Sequence, residues 1–106
     1  MTVNELAATN GFKAVSLPDG EREIKNVYIG DLLSWVMGRA SADDAWITIM
    51  SNINIVAVAS LADVACIILA EGVTLDASVT ETANAKGINI LTSEFPAYET
   101  AMLLEI

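Results

Sequence analysis

Between Trp46 and Thr92 the hydrophobic pattern changes period several times, marking out a strand-helix-strand-helix-strand series. Trp46-Ile-Thr-Ile-Met50 reads as a strand. Val64-Ala-Cys-Ile-Ile-Leu69 is an unbroken apolar run of strand length, and Ile88-Asn-Ile-Leu-Thr92 closes the series. Between these two, Asp76 caps a polar-faced helix that runs to Lys86 and is ended by Gly87. The stretch from Asn52 to Asp63 admits two readings. Ile53, Ile55 and Ala57 alternate with Asn54, Val56 and Val58, as in a strand. Asn52 and Asn54 supply helix caps, however, and a strand would need a tight turn near Ser60, where there is neither Gly nor Pro. A helix is the expectation. Two βα units joined this closely demand a parallel sheet. The expected fold class is therefore α/β, a small mostly parallel sheet built from βαβαβ over residues 46–92, with flanking helices on both sides.

The remainder is expected to pack around that unit, residues 1–44 as an N-terminal flank of a single domain spanning 1–106. Thr2-Val-Asn-Glu5 has capping-box spacing and predicts a short helix to Thr9, closed by Asn10-Gly11. Phe12 to Leu17 is a short strand, followed by the turn Pro18-Asp-Gly20. Glu21-Arg-Glu23 reads as a solvated charge run. Ile24 to Ile29 is a further strand, and Asp31 is placed to cap a helix from Leu32 to Arg39. On that helix Leu32, Trp35 and Val36 share one face and Leu33 and Met37 the adjacent one, a broad apolar surface for a short element. Ser41-Ala-Asp-Asp44 reads as a loop. Pro96 starts a terminal helix with Ala97 and Ala101 inward.

Composition narrows the function classes. Apolar residues form 54% of the 106, enough to leave surface for a partner subunit. The net charge of −9 repels phosphate backbones and anionic bilayers, so neither nucleic acid nor membrane is an expected partner. With no histidine, Ser-His and Cys-His catalysis and His-bearing zinc sites are excluded. The lone Cys66 cannot form an intrachain disulfide, fits a reducing cytosol, and reads as a small buried hydrophobe. Ile53 to Ala70 has nearly the length of a membrane span, but Asp63 near its middle argues against one. The N-terminus lacks the pattern of a signal peptide, and a cytoplasmic location is expected. The adjacent carboxylates Asp43 and Asp44 do not make a metal site. No cofactor is expected.

Tyr28-Ile-Gly-Asp-Leu-Leu-Ser-Trp-Val-Met-Gly-Arg39, followed by Asn54-Ile-Val-Ala-Val-Ala-Ser-Leu-Ala-Asp-Val-Ala-Cys-Ile-Ile-Leu-Ala-Glu-Gly72, resembles the DRTGG-domain family. The similarity runs from about Val27 to Tyr98. The Gly-Asp-Leu-Leu-Ser-Trp-Val-Met run resembles in particular the small stand-alone members encoded beside iron-only hydrogenases and electron-transfer genes of anaerobic bacteria. The family is also similar to the N-terminal domain of HPr kinase/phosphorylase, and it accompanies CBS modules and phosphotransacetylases. The resemblance implies an α/β domain, usually dimeric, that serves regulation or assembly and has no established catalytic residues. No Gly-x-x-x-x-Gly-Lys-Ser/Thr phosphate loop is present, so kinase chemistry is not implied. Where many members carry Thr-Gly-Gly, this chain has Ala70-Glu-Gly72, and the charge of Glu71 disfavours phosphate at that loop.

Two candidate sites follow. In a parallel sheet the strand ends share one edge, where open α/β sheets bind ligands. Ser51, Asn52 and Asn54 follow the first strand of the series, Glu71 and Gly72 the second, and Thr92 and Ser93 the third. Backbone N–H groups starting the helices after Met50 and Leu75 are orphans that a ligand can satisfy. With Glu71 nearby, this edge is expected to prefer a neutral or cationic group over a free polyphosphate. The competing reading makes Asn52, Asn54 and Asp76 ordinary caps and Ser93 a turn residue. Leu33, Trp35 and Met37 are interface candidates, with core packing as the alternative. The first functional expectation is a non-catalytic regulatory or assembly module. It is homodimeric and contacts a protein, for example a subunit of a hydrogenase or electron-transfer complex. The alternative is a sensor of a small ligand resembling an adenine nucleotide.

Overall fold

The computed structural model describes residues 1–106. Ten elements follow in order: α1 (Val3–Ala7), β1 (Phe12–Ser16), β2 (Asn26–Ile29), α2 (Leu33–Arg39), β3 (Asp44–Thr48), α3 (Asn54–Ala62), β4 (Cys66–Leu69), α4 (Ala77–Ala85), β5 (Ile90–Ser93) and α5 (Ala97–Met102). The α/β class and the helical state of residues 54–62 agree with the sequence reading. One sheet has the order β1-β5-β4-β3-β2. The strands β2 to β5 are mutually parallel, and β1 closes one edge antiparallel to β5, Lys13 opposite Thr92.

Alternation along the central strands splits the core in two. Trp46, Ile67, Leu69 and Ile90 face α2, α3 and α4. Ala45, Ile47, Cys66, Ile68 and Leu91 face the other side, where α1 and the C-terminal segment around Leu104 cover them. Every residue of β3 and β4 is buried, which is why the β4 stretch reads as a continuous apolar run. Ala97 and Ala101 pack inward, as expected of α5.

Several expectations are corrected. The strand predicted from Trp46 begins two residues earlier, at Asp44, whose carboxylate folds back to accept the Ser41 N–H at 2.8 Å. An aspartate at a strand start carries no hydrophobic signal. Asp31 does not cap α2, because its Oδ1 instead accepts from Thr48 Oγ1 (2.8 Å) and the Ile49 N–H (3.0 Å). On α2, Val36 is buried with Leu33 and Ala40 packed beside it, while Leu32 and Trp35 point outward. Asn54 is the first residue of α3 and not a cap, and Asp76 stands at the N-cap of α4 without a side-chain hydrogen bond.

The Glu21-Arg-Glu23 run is no mere solvated stretch. Arg22 donates from Nε to Asp43 Oδ1 (3.1 Å) and from Nη2 to the carbonyl and Oδ1 of Asp63 (2.6 and 2.9 Å). Asp43 and Asp63 both hold left-handed backbone, φ 69° and 59°, and the Asp43 N–H donates to the Asp63 carbonyl. One guanidinium thus ties the turn entering β3 to the C-cap of α3. Burial pulls its pKa down, but the hydrogen bonds from Asp63 and Asp43 outweigh that, and the net direction is upward. Glu23 meanwhile pairs with the N-terminal ammonium at 3.1 Å, and Glu21 accepts from Asn4. The flank also does more than pack, since β1 and β2 are the two edge strands of the sheet.

Candidate functional site

The C-terminal ends of the parallel strands bring the predicted residues to one edge. After β3 the chain runs through half-buried Ser51 and exposed Asn52 into α3. Asn52 stands one residue before the Ile53 N-cap: its Oδ1 accepts the Asn54 N–H at 2.9 Å and its carbonyl accepts the Ile55 N–H at 3.2 Å. The Val56 N–H goes to the Ile53 carbonyl. The first three helical N–H groups of α3 are therefore occupied within the chain, contrary to the expected orphans. At α4 the Val79 and Thr80 N–H groups share the Asp76 carbonyl, which leaves those of Ala77 and Ser78 outside the helical ladder.

After β4, Glu71 and Gly72 both adopt left-handed backbone, φ 63° and 69°. Their N–H groups donate across to Phe95 and Ser93 carbonyls, both at 2.9 Å, so this turn clamps the chain leaving β5. Ser93 is withdrawn from any ligand. It is 1% exposed, its Oγ hydrogen-bonds Thr100 Oγ1 at 2.8 Å, and it accepts the Phe95 N–H at 3.1 Å. Thr92 faces the other side of the sheet beside Lys13.

That side opens into a cavity of about 360 Å³, wrapped around the end of the β1–β5 pair and lined by Asn10, Gly11, Lys13, Thr92, Glu94 and Phe95 among others. Gly11 takes φ 97°, and a Cβ there would overlap the Phe95 ring, so the glycine lets the ring lie against the backbone. Of the residues expected at the edge, only Thr92 reaches this cavity. The sequence carried no cue to the others, because they meet only through the antiparallel β1–β5 pairing. The Asp31–Thr48 link, which ties the ends of β2 and β3, has Gly30-Asp31 directly after a strand as its cue in the sequence.

The second candidate surface lies at the other edge of the sheet. Leu33 is half-buried against the core. Trp35 is 53% and Met37 46% exposed, and the Arg39 guanidinium stacks 3.8 Å from the Trp35 ring centroid. Ile29, Leu32, Ile49 and Ile53 are comparably exposed where β2, α2, β3 and α3 begin or end. Elsewhere no reactive group appears. Cys66 is wholly buried, and burial pushes its thiol up to about 12 against a small opposing effect of Arg22. No helix is long and apolar enough to cross a membrane.

The comparisons with known proteins bear on the family and the fold. A family model for the DRTGG domain matches residues 7–106. The chain belongs to the DRTGG-domain family. Among solved structures, this DRTGG domain is similar to the CBS and DRTGG domains of the regulatory region of Clostridium perfringens pyrophosphatase, crystallised with its activator diadenosine tetraphosphate. The TM-score is 0.74 at 16% identity, over 96% of this chain. The match takes in 45% of that chain, so the present domain spans less than half of it. In that enzyme the DRTGG domain is part of the regulatory region. No curated protein sequence matches.

Proposed function

We propose that this DRTGG domain is a non-catalytic regulatory or assembly module that works as a homodimer and acts by contact with another protein. The observation that carries the reading is the row of half-exposed apolar side chains on and beside α2: Ile29, Leu32, Trp35, Met37, Ile49 and Ile53. Exposed apolar side chains of this kind, with a Trp stacked by an Arg among them, have the composition of an interface core. A cytoplasmic setting fits the free, buried Cys66, and the resemblance to stand-alone members points to a subunit of an anaerobic hydrogenase or electron-transfer complex as the regulated protein. Light scattering at micromolar concentration tests the dimer. Met37→Glu places a charge in the contact and is expected to shift the population to the 11.2 kDa monomer with the circular dichroism of the fold unchanged. Wild-type protein that scatters only as the monomer overturns the reading.

The cavity at the β1–β5 end favours a second reading, a small-ligand sensor at the strand-end edge. The diadenosine tetraphosphate bound by the pyrophosphatase regulatory region supports it as precedent for a ligand near this fold. Thermal shift against nucleotides and metabolites is the test, since only ligands of the folded state raise the melting temperature.

A further inference from the structure

The β1–β5 cavity carries a charge pattern that narrows its ligand. Lys13 and Glu94 line it together, and neither belongs to any of the four ion pairs of the chain. Lys13 is thus an unengaged cation in a chain of net charge −9. Asn10 adds an amide able to donate and accept, and Phe95 supplies an aromatic wall held in place by Gly11. The surrounding edge is acidic: Glu71 stands on the turn that binds the Phe95 carbonyl, and Asp76 opens α4. A polyphosphate would meet one ammonium, the opposing Glu94 carboxylate and an acidic chain around them. A zwitterion meets one partner for each of its charges.

We infer that this cavity binds a free α-amino acid with a flat side chain. The ligand carboxylate sits on the Lys13 ammonium and the Asn10 amide, its ammonium on the Glu94 carboxylate, and its side chain against the Phe95 ring. The volume of about 360 Å³ is near the lower end of small-molecule sites and has room for a single amino acid. Because the Glu71–Gly72 turn clamps Phe95 and Ser93, occupancy of the cavity is passed directly to the end of β4. The inference deepens the ligand-sensor reading and rests on it.

Titration of the full ¹⁵N-labelled chain with L-phenylalanine tests it. Saturable amide shifts are expected at residues 10–13 and 92–95. Lys13→Gln and Glu94→Gln should each weaken binding about tenfold, the loss of one charge-assisted contact. N-acetyl-L-phenylalanine should bind the wild type more weakly, with no further loss in Glu94→Gln, and L-phenylalaninamide should behave the same way with Lys13→Gln. Absence of shifts up to about 10 mM overturns the inference, as does tighter binding of adenosine monophosphate in the same cavity. Shifts that appear instead at residues 51–54 and vanish in Asn52→Ala would overturn it while leaving the edge-sensor reading intact.

Discussion

Glu71 holds a backbone conformation that side chains with a Cβ avoid, and it does so because two carbonyls, of Ser93 and Phe95, require the amides of this turn. A non-glycine residue in that region costs about 1–3 kcal/mol. Glu71→Gly is therefore expected to raise the stability measured by urea unfolding by about 1 kcal/mol, with the turn unchanged. A loss of stability would mean that the glutamate side chain does something the structure does not show. Cys66 gives a second test at this scale. Its thiol is raised by burial, so the folded state keeps its proton where the unfolded chain loses it. The stabilising contribution is whole below the ordinary thiol pKa of about 8.5 and falls as pH rises toward about 12. Native protein at pH 8 should react with a thiol reagent only at its rate of opening, and fast labelling would contradict the burial.

The elements show what the pattern of residues could and could not convey. β3, β4, α4 and β5 are legible from their own patterns, whereas α3 alternates like a strand and is told as a helix only by its cap residues and the missing turn near Ser60. The faces of α2 were not. Its apolar residues surround the short helix, so spacing alone could not say that Leu33 and Val36 pack inward while Leu32 and Trp35 look out. Arg22 was illegible for a different reason, since both of its partners are distant in sequence and sit in turns with no hydrophobic signal. The cavity residues were hidden by the antiparallel placement of β1. Arg22→Ala should destabilise the fold by about 1–2 kcal/mol, less at the exposed Asp63 end, where solvent screens the pair. In urea unfolding, a variant as stable as the wild type would show the clasp to be ornamental. At α1 the capping box predicted by the Thr2–Glu5 spacing is formed: Thr2 Oγ1 accepts the Glu5 N–H and Glu5 accepts the Thr2 N–H at 2.8 Å. The hydrogen bond from the Thr2 backbone, then that from its hydroxyl, holds the Glu5 carboxyl below its usual range. Its contribution is present above the ordinary glutamate pKa of about 4.3 and lost as pH falls through the lowered value. Glu5→Gln should thus melt lower than the wild type near neutrality and converge with it in acid.

For the molecule as a whole, charge and apolar surface pull against each other. A chain of net charge −9 resists self-association, while the exposed α2 row favours it. Salt screens the repulsion and leaves apolar burial intact, so the dimer should tighten as ionic strength rises. Dissociation by salt would point to a contact made of ion pairs instead. The two tryptophans give the most direct measurement. Trp46 is buried, with its indole N–H on the Gly30 carbonyl at 2.9 Å, and Trp35 is half-exposed on α2. In protein labelled with 5-fluorotryptophan, ¹⁹F spectra over a wide dilution series should show the Trp35 resonance move between two limits. The Trp46 resonance should stay fixed. Both resonances invariant with concentration, in protein that scatters as a dimer, would move the interface away from α2; both invariant in a monomer would contradict the proposed function itself.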